Sequence, residues 1–469
     1  MKSKYFLSVL FSLCVLLQSI QAQTSSKSKP NVLLIAIDDM NDWAGFLGGH
    51  PDAQTPNIDK LSKRGTAFHN AHCQAPICNP SRTSIMYGLR PSSTGIYGNW
   101  PFPWQAPGFK SKKTLSRWFA QNGYLTLTTG KIYHASKFPP QDFDVDGPRP
   151  RQAIELDQKI VKDIEAFTPL WDFGPQEYDE DKFIDKVCAN WAIERLDDMP
   201  QDKPFFLAVG FFRPHVPFYS PRRVYDSFNL DDIDLPPYKE DDLNDISQTA
   251  KKLTYIEKPP AHSWFIKNKR WQETVKSYIA AMKWSDEQVG RVLEALDKSP
   301  FADNTIIVLY SDHGFHLGEK SRWAKWSLWE RSTRVPFMII TPGLASGQKV
   351  NKPVELLSIY PTLIELCGLS KNPDIEGRSL VPLLQNQNAD WPYHAVTTFM
   401  QNNHSVRSEN YRYIRYHDGS EELYNNQIDP NEWKNLLADG ISEEEMEIIK
   451  TLKKSLPQKN IKELRRAGK

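Results

Sequence analysis

The stretch Val32-Leu33-Leu34-Ile35-Ala36-Ile37, which runs directly into Asp38-Asp39, indicates the fold class of this chain. An apolar run without alternation is typical of a strand that is buried on both faces, as in a largely parallel sheet. Four more runs have the same character, at 124–129, 205–209, 305–310 and 337–341. Together they predict a central sheet.

Amphipathic stretches lie between these runs. Apolar residues keep helical spacing over 183–196 and again over 278–296, and such stripes predict helices that pack against a core. Strands that alternate with helices favour the α/β class, with a large mixed, mostly parallel central sheet sandwiched by helices.

The pattern changes near Tyr393, after which short strand-like segments at 396–400, 411–416 and 422–424 precede a charged helix from Glu443. We expect a small C-terminal α+β domain with a short antiparallel sheet. The predicted organisation is a segment at 1–22, a catalytic domain at 23–390 and a C-terminal domain at 391–469, with the boundary inside 386–392.

The composition is that of a globular protein with a sizeable core. The 469 residues carry 58 Lys+Arg against 57 Asp+Glu, a formal net charge of +1. Nucleic acid is therefore not expected as the main partner, because phosphate binding needs a basic excess. We expect a monomer or a dimer.

The first residues have the pattern of a secretory signal peptide. Lys2 and Lys4 precede an apolar run at 5–17, and the small residue Ala22 follows shortly after. The run is shorter than the roughly 20 apolar residues of a membrane span. We therefore expect an exported protein, periplasmic or secreted, with no membrane span.

Four cysteines follow the signal segment: Cys73, Cys78, Cys188 and Cys367. Four are too few for a fold of this size to be built on disulfides. Cys73 could pair with Cys78, or all four could be small buried apolar side chains. The second alternative suits Cys188 and Cys367, which lie in helical and apolar surroundings.

Ionisable residues follow four of the five predicted strands. They are Asp38 and Asp39 after the first, Lys131 and His134 after the second, His215 after the third, and Asp312 and His313 after the fourth. Ligands of open α/β sheets bind beyond the carboxyl ends of the strands, so these residues predict a common site. Neighbouring carboxylates repel unless a cation lies between them. Oxygen ligands favour Ca²⁺, with Mg²⁺ less expected, and His313 is the least typical ligand of the set.

A separate motif surrounds Cys78, in Cys78-Asn79-Pro80-Ser81-Arg82. Pro80 suits the first turn of a helix, which places Cys78 at the end that attracts anions and lowers a thiol pKa. A phosphatase loop of the Cys-x5-Arg type is excluded because Ser84 stands where its arginine would be.

This motif, followed by Gly88-Leu89-Arg90, resembles the Cys-x-Pro-Ser-Arg signature of the sulfatase family, in the alkaline-phosphatase-like superfamily. Further family-like blocks occur in order along nearly the whole mature chain: 38–39, 130–134, 214–217, 311–314 and 323–326. Within the family, 130–134, 312–319, 323–325 and 410–413 are most similar to iduronate-2-sulfatases and related bacterial glycan sulfatases. The cysteines do not reproduce the disulfides of the animal enzymes, and the spacing between Trp100 and Trp104 is distinctive.

The resemblance implies a mechanism. A maturation enzyme would oxidise Cys78 to formylglycine, whose hydrate attacks the sulfur of a sulfate ester. The implied metal ligands are Asp38, Asp39, Cys78, Asp312 and His313, with Ca²⁺ as the ion. The implied catalytic residues are Arg82, which orients the nucleophile, Lys131 and Lys325, which bind sulfate oxygens, His215, which protonates the leaving sugar, and His134, which accepts a proton so that sulfate is released.

The expected activity is the hydrolysis of sulfate monoesters at the ends of sulfated glycans. Candidate substrates are uronate 2-O-sulfates and algal glycans such as ulvan or carrageenan. Predicted substrate-binding residues are Lys131, His215, Lys325, Trp104, His316, His404 and Arg407. The alternatives are a phosphonate or phosphate monoester hydrolase, a sulfatase of small esters such as choline sulfate, and an inactive sugar-binding protein, which is disfavoured because the metal and nucleophile positions are intact.

Overall fold

The computed structural model describes residues 29–464 apart from 135–137, 150–158, 163, 165–167, 169 and 257. The expected signal peptide lies outside the described residues. Across the part that is described, no helix combines the length and apolar character that crossing a membrane requires.

The strands of the described residues are, in chain order, β1 Asn31–Ile37, β2 Thr66–Phe68, β3 Ala71–His72, β4 Leu125–Gly130, β5 Val145–Asp146, β6 Phe173–Gln176, β7 Phe205–Phe211, β8 Phe218–Pro221, β9 Thr305–Ser311, β10 His316–Leu317, β11 Trp323–Ala324, β12 Phe337–Ile340, β13 Gln348–Val350, β14 Val354–Glu355, β15 Ala395–Thr398, β16 His404–Arg407, β17 Tyr411–Arg415 and β18 Glu421–Asn425. The α-helices are Pro56–Ser62, Cys78–Tyr87, Pro91–Thr94, Leu115–Gln121, Ile184–Asp197, Arg222–Tyr225, Gln248–Leu253, His262–Lys267, Trp271–Lys298, Glu330–Thr333, Ile359–Leu366, Val381–Gln385 and Glu443–Lys453.

The large sheet has eight strands in the order β13-β2-β12-β9-β1-β7-β4-β5. β1 pairs in parallel with β7 and β9, and β4 pairs in parallel with β7 and β5. β12 is antiparallel to both β9 and β2. The expectation of a mixed, mostly parallel sheet is confirmed.

Helices cover both faces of this sheet, because alternate residues of β1 enter two different cores. Leu33, Ile35 and Ile37 pack in one apolar cluster with the Ile184–Asp197 and Trp271–Lys298 helices. Their neighbours Val32, Leu34 and Ala36 pack in the other cluster, with the Cys78–Tyr87, Leu115–Gln121 and Ile359–Leu366 helices. Burial on both faces explains the unbroken apolar run in the sequence.

The C-terminal part forms an antiparallel sheet in the order β15-β16-β17-β18. Ile449 and Leu452 of the last helix pack on its apolar face, in a core of their own. The sheet is attached to the large domain through β15, where Thr397 Oγ1 donates to Cys73 O and Thr398 N donates to Gln74 O at 2.8 Å. The predicted boundary at 386–392 falls between the Val381–Gln385 helix and β15 and stays a prediction.

Candidate active site

The parallel strands deliver their following residues to one edge of the sheet. Backbone hydrogen bonds continue the strand pairing beyond the strand ends, from Asp38 N to Phe211 O and from Asp312 N to Ile37 O, both at 3.1 Å. Lys131 N donates to Gly210 O at 2.9 Å. The residues that follow β1, β4, β7 and β9 therefore have fixed relative positions.

Three of these side chains meet Cys78 in one buried cluster. One potential ligand atom from each of Asp38, Asp39, Cys78 and His313 lies within 4.8 Å of all the others, and each residue is at most 1% exposed. Asp39 has a φ of 61°, a left-handed conformation that is uncommon outside glycine and often found at functional sites. Asp312 completes the group, with Oδ2 at 3.5 Å from His313 Nε2.

The donor atoms of this cluster suit a divalent cation. Asp38, Asp39 and Asp312 supply hard oxygen atoms. His313 donates through Nδ1 to Gly314 O at 3.0 Å, which leaves Nε2 facing Cys78 Sγ at 3.3 Å. A ring fixed through one nitrogen so that the other can bind an ion is the usual arrangement of a histidine ligand.

The Cys78–Tyr87 helix begins at Cys78, as the position of Pro80 predicts. One turn further, Ser81 Oγ donates to Asp312 O at 2.6 Å. Arg82 donates from Nε to Asp312 Oδ2 at 2.8 Å and from Nη2 to Asp38 Oδ1 at 2.9 Å. Arg82 therefore links two carboxylates and holds their spacing, rather than facing open space.

Two lysines approach the sulfur of Cys78. Lys325 Nζ lies 3.5 Å from Cys78 Sγ and donates to Asp39 Oδ1 at 2.7 Å. Lys131 Nζ lies 3.9 Å from the same sulfur and donates to Asp38 Oδ2. Burial by itself raises the pKa of the Cys78 thiol, but the charges of Lys131, Lys325 and His313 outweigh burial and hold this pKa well below its usual range.

Burial and neighbouring charges also shift the pKa values of the carboxyl groups, downward for Asp38 and upward for Asp312. Burial raises the pKa of Asp38, but the positive charges of Lys131, His215 and Arg82 together outweigh burial, and the net shift is downward. Burial raises the pKa of Asp312 to about 6 against the effect of Arg82. The pKa of His313 rises to about 9 because Asp312 and Cys78 outweigh the lowering effect of burial.

Two more histidines border the cluster. The His134 side chain contacts Cys78, and burial lowers the pKa of His134, which favours a neutral ring that can accept a proton. His215 donates through Nδ1 to Val216 O at 2.6 Å, and its Nε2 lies 3.9 Å from Asp39 Oδ2. The structure thus brings the sequence-predicted catalytic and metal-binding residues together in one place. They are Asp38, Asp39, Cys78, Arg82, Lys131, His134, His215, Asp312, His313 and Lys325.

Trp104 and His316, two of the predicted substrate-binding residues, contact other side chains of the protein. Trp104 is half-buried, and its ring meets that of Tyr133 edge-on with centroids 5.5 Å apart. His316 is 1% exposed, with Nε2 at 2.9 Å from Ser327 Oγ. His316 also borders a cavity of about 610 Å³, which is lined in addition by residues of the C-terminal part such as Glu432.

The remaining two lie in the C-terminal sheet. His404 is buried, with Nδ1 at 3.0 Å from Thr398 Oγ1. Arg407 donates from Nε to Glu330 Oε2 at 3.1 Å and borders the same cavity as His316. These contacts are internal to the protein, so a substrate contact by His404 or Arg407 stays a prediction.

Sequence reasoning did not identify Tyr278 as a residue of the site. Its hydroxyl donates to Asp39 O at 2.8 Å and accepts from Asn41 N at 2.9 Å, so it fixes the backbone of the loop that carries Asp39. Tyr278 lies on the apolar stripe of the Trp271–Lys298 helix, and this stripe indicates core packing, so no signal in the sequence distinguishes it.

The cysteines of the described residues, Cys73, Cys78, Cys188 and Cys367, are all free and buried. Of the two alternatives for these residues, the structure supports four unpaired thiols. Cys73 and Cys188 are fully enclosed, and burial raises the pKa of both thiols far above the usual value, so they are unreactive side chains of the core.

The family model described as Sulfatase matches residues 30–369, and the model of the N-sulphoglucosamine sulphohydrolase C-terminal region matches residues 318–462. The chain belongs to the sulfatase family and is a sulfuric ester hydrolase.

The chain is similar in sequence to named sulfatases and in fold to solved structures. A protein named Sulfatase from Formosa agariphila is 40% identical, with 98% of this chain and 93% of that protein covered. Iduronate 2-sulfatase of Mus musculus is 32% identical over 78% of this chain and 73% of its own length. A solved structure of a protein in complex with its substrate D-glucosamine-2-N,6-O-disulfate shares the fold with a TM-score of 0.73, at 22% identity, and covers 91% of this chain and 97% of that one.

Proposed function

We propose that the enzyme removes sulfate from the ends of sulfated oligosaccharides, with the side chain at position 78 as nucleophile after conversion of Cys78 to formylglycine by a maturation enzyme. The observation that carries the proposal is the meeting of Cys78 Sγ with two lysine ammonium groups at 3.5 and 3.9 Å and with a set of buried metal-type ligands. A sulfate ester is an anion, and this arrangement both attracts it and activates the group that attacks it.

Calcium is the proposed ion, held by Asp38, Asp39, Asp312 and His313 together with the residue at position 78. A bound divalent cation would lower the pKa of a hydroxyl nucleophile and offset the negative charge of the sulfate. The donor set of oxygen atoms and one imidazole supports this assignment over a soft metal. Arg82, which bridges Asp38 and Asp312, holds these two carboxylates in fixed relative positions.

Lys131 and Lys325 are proposed to bind the sulfate oxygens that face away from the ion. Both lysine side chains are largely buried beside Cys78 Sγ, and charge stabilisation is stronger in a buried site than in water. The two ammonium groups offset the negative charge of the sulfate group and orient it for attack by the side chain at position 78.

The two histidines are proposed to move protons in opposite directions. His215 is fixed through Nδ1 to Val216 O, so its Nε2 is available to protonate the departing sugar oxygen. His134 contacts the side chain at position 78 and is kept neutral by burial. It can therefore accept the proton of the second hydroxyl of the formylglycine hydrate, which expels sulfate and restores the aldehyde.

Uronate 2-O-sulfates are the first substrate candidates, because the likeness to iduronate 2-sulfatase extends over most of the chain. Algal glycans such as ulvan and carrageenan are the second. Export to the periplasm or the surroundings, as the sequence at 1–22 predicts, would bring the enzyme to substrates of this size.

The proposal is tested with protein coexpressed with a formylglycine-generating enzyme. Mass spectrometry first measures conversion of the peptide that contains residue 78. It then follows sulfate loss from a 2-O-sulfated uronate disaccharide, ulvan fragments and carrageenan fragments, with Cys78→Ala as the matched inactive control. We expect desulfation of at least one of the three and none by the variant. A fully converted enzyme that desulfates none, or a Cys78→Ala variant as active as the parent, contradicts the proposal.

A further inference from the structure

An aromatic loop lies beside the nucleophile and has no part in the chemistry described so far. We name Trp100, Phe102 and Trp104 the aromatic ridge. Trp100 is 48% exposed, whereas Phe102 and Trp104 are half-buried, and the prolines between them, Pro101 and Pro103, are buried. The ridge is thus a stiff loop that presents one indole ring to solvent.

The ridge is fixed to the first turn of the nucleophile helix. Asn79, the residue after Cys78, donates from Nδ2 to Gly98 O at 2.9 Å and to Pro101 O at 3.0 Å. Its backbone N–H donates to Asn99 Oδ1 at 3.3 Å. Since Asn79 is itself 3% exposed, these bonds are sheltered from water and hold Trp100 at a set distance from residue 78.

The rings of the ridge also reach the segment that follows β4. The centroid of Phe102 lies 4.0 Å from that of Trp100, 5.1 Å from that of Trp104 and 6.4 Å from that of His134. Trp104 in turn packs on Tyr133. A continuous row of rings therefore leads from His134, at the nucleophile, outward to the exposed face of Trp100.

We propose that the exposed indole of Trp100 is the platform on which the sugar ring next to the sulfated sugar stacks. This inference rests on the proposed function and names a determinant of its substrate size. The pocket around Cys78 is crowded with charge and suits the sulfate, whereas the ridge is uncharged and presents a flat apolar face. The C–H face of a pyranose can cover such a ring while its hydroxyl groups stay in water, and burial of an exposed indole is favourable.

Trp104 is among the substrate-binding residues predicted from the sequence, whereas the exposure of the two rings favours Trp100 for stacking. Trp104 and Phe102 pack against Tyr133 and against each other, so they support the platform from behind. Trp100 contacts Phe102 on one side and leaves nearly half of its surface to solvent.

The test compares Trp100→Ala with the parent on two probes that share one sulfated sugar. The probes are the 2-O-sulfated uronate monosaccharide and the disaccharide that ends in it, or the corresponding pair from ulvan or carrageenan if the parent prefers that glycan. We expect KM for the disaccharide to rise about tenfold, with kcat little changed, because a stacked ring contributes roughly one factor of ten. KM of the variant for the monosaccharide should stay within about twofold of the parent value, because this probe has no second sugar that could stack.

Matched variants separate stacking from a general disturbance of the loop. Trp100→Phe keeps an aromatic face, so its KM for the disaccharide is expected to lie close to that of the parent. Tyr393→Ala removes a comparably exposed ring, 40% exposed, from the segment before β15 and is expected to leave both KM values unchanged. If Trp100→Ala fails to fold, Trp100→Leu takes its place, since leucine keeps the contact with Phe102 but offers no ring.

Equal KM changes on both probes, or no change on either, overturn the inference while the proposed function stands. If the parent desulfates no member of the panel, the proposed function fails and the inference falls with it. These two failures are distinguished by the activity of the parent enzyme alone.

Discussion

At the scale of single residues, the charges around Cys78 depend on one another. Asp38 and Asp39 are fully buried, and each accepts a hydrogen bond from a lysine, Lys131 or Lys325. An isolated buried charge would be costly, so removal of one member leaves its partner uncompensated. The first prediction at this scale concerns the same cluster.

Removal of the proposed ion is the first prediction. Dialysis of the matured enzyme against a strong chelator should abolish desulfation and lower Tm by several degrees, because an ion that binds the folded state alone stabilises it by mass action. Calcium should restore both quantities, and magnesium should restore them less. The measurement is metal content by mass spectrometry beside Tm and activity. An enzyme that contains no divalent ion and is indifferent to chelation would disprove the metal assignment.

A second prediction concerns His262, a buried histidine outside the site. Its Nδ1 accepts from Trp323 Nε1 at 2.9 Å, and burial lowers the pKa of His262 to about 4 from 6.5. Between these values the unfolded chain binds the proton and the folded protein does not, so stability falls as pH falls through that window. The loss from this residue between pH 7 and pH 5 should be about 2 kcal/mol.

The matched variant is His262→Asn, whose amide oxygen can accept from Trp323 but does not titrate. Denaturant unfolding of parent and variant at pH 5, 6 and 7 measures the difference. We expect the parent to lose more stability than the variant on acidification. Parallel losses in the two proteins would show that His262 does not titrate in this window.

At the scale of secondary structure, two glycines let β4 and β7 place Lys131. Gly130 and Gly210 are direct partners in the parallel pairing of these strands. A Cβ on Gly210 would collide with the backbone of Lys131, and a Cβ on Gly130, which has a φ of 69°, would collide with Gly210 O. The close approach of the two strands is what brings Lys131 to the nucleophile.

Gly210→Ala should therefore displace Lys131 as well as strain the sheet. We expect a loss of about 3 kcal/mol in unfolding free energy and a fall of about 100-fold in kcat/KM, since a shift of about 1 Å in a substrate-binding group has that effect. Gly108→Ala is the control, because a Cβ there meets no atom within 4 Å. A stable, fully active Gly210→Ala would refute this account of the strand pair.

Long strands were predictable from the sequence and short ones were not. Five long apolar runs are recognisable in the sequence because a strand that is buried on both faces needs unbroken apolar residues. These runs form β1, β4, β7, β9 and β12. β2, β5 and β13 have two or three residues each, too few for a pattern. β16, His404–Arg407, was missed since its sequence is mostly polar.

The site residues that directly follow the long strands could be predicted from the sequence pattern. The other site residues could be predicted only from the resemblance to the sulfatase family. Asp38 and Asp312 stand out as carboxylates at the ends of apolar runs. Tyr278 reaches Asp39 from the middle of a helix that lies far along the chain, and that contact depends on helix packing. The exposure of Trp100, as opposed to Trp104, depends on which rings pack behind it, and sequence carries no signal for that.

At the scale of the whole molecule, a buried ion network joins the C-terminal sheet to the part of the chain that precedes it. Arg412 in β17, which is 0% exposed, donates to Glu432 Oε1 at 2.6 Å and to Glu330 Oε2. Glu330 begins the short Glu330–Thr333 helix, which precedes the C-terminal sheet in the chain, and it also accepts from Arg407. Charges this deeply buried stabilise the native state only as a complete set.

Arg412→Leu should thus destabilise the entire protein by about 3–5 kcal/mol, because it removes the buried guanidinium that pairs with both Glu330 and Glu432 and leaves their negative charge only partly compensated. Denaturant unfolding followed by tryptophan fluorescence and by residual activity measures the effect. We expect both probes to shift together. Arg415→Leu, an exposed position on the same strand, is the control and should change little. Loss of C-terminal structure without loss of activity would show that the domains are energetically separate.

The central position of β1 also determines when folding can begin. β1 is made first during synthesis, yet its neighbours β7 and β9 end at Phe211 and Ser311. A nascent chain therefore carries an apolar strand with both edges unpaired until β7 has been translated and with one edge unpaired until β9 follows, and unpaired edges of this kind promote aggregation. The yield of active enzyme during rapid expression should accordingly depend more on the supply of chaperones than on the stability of the finished fold.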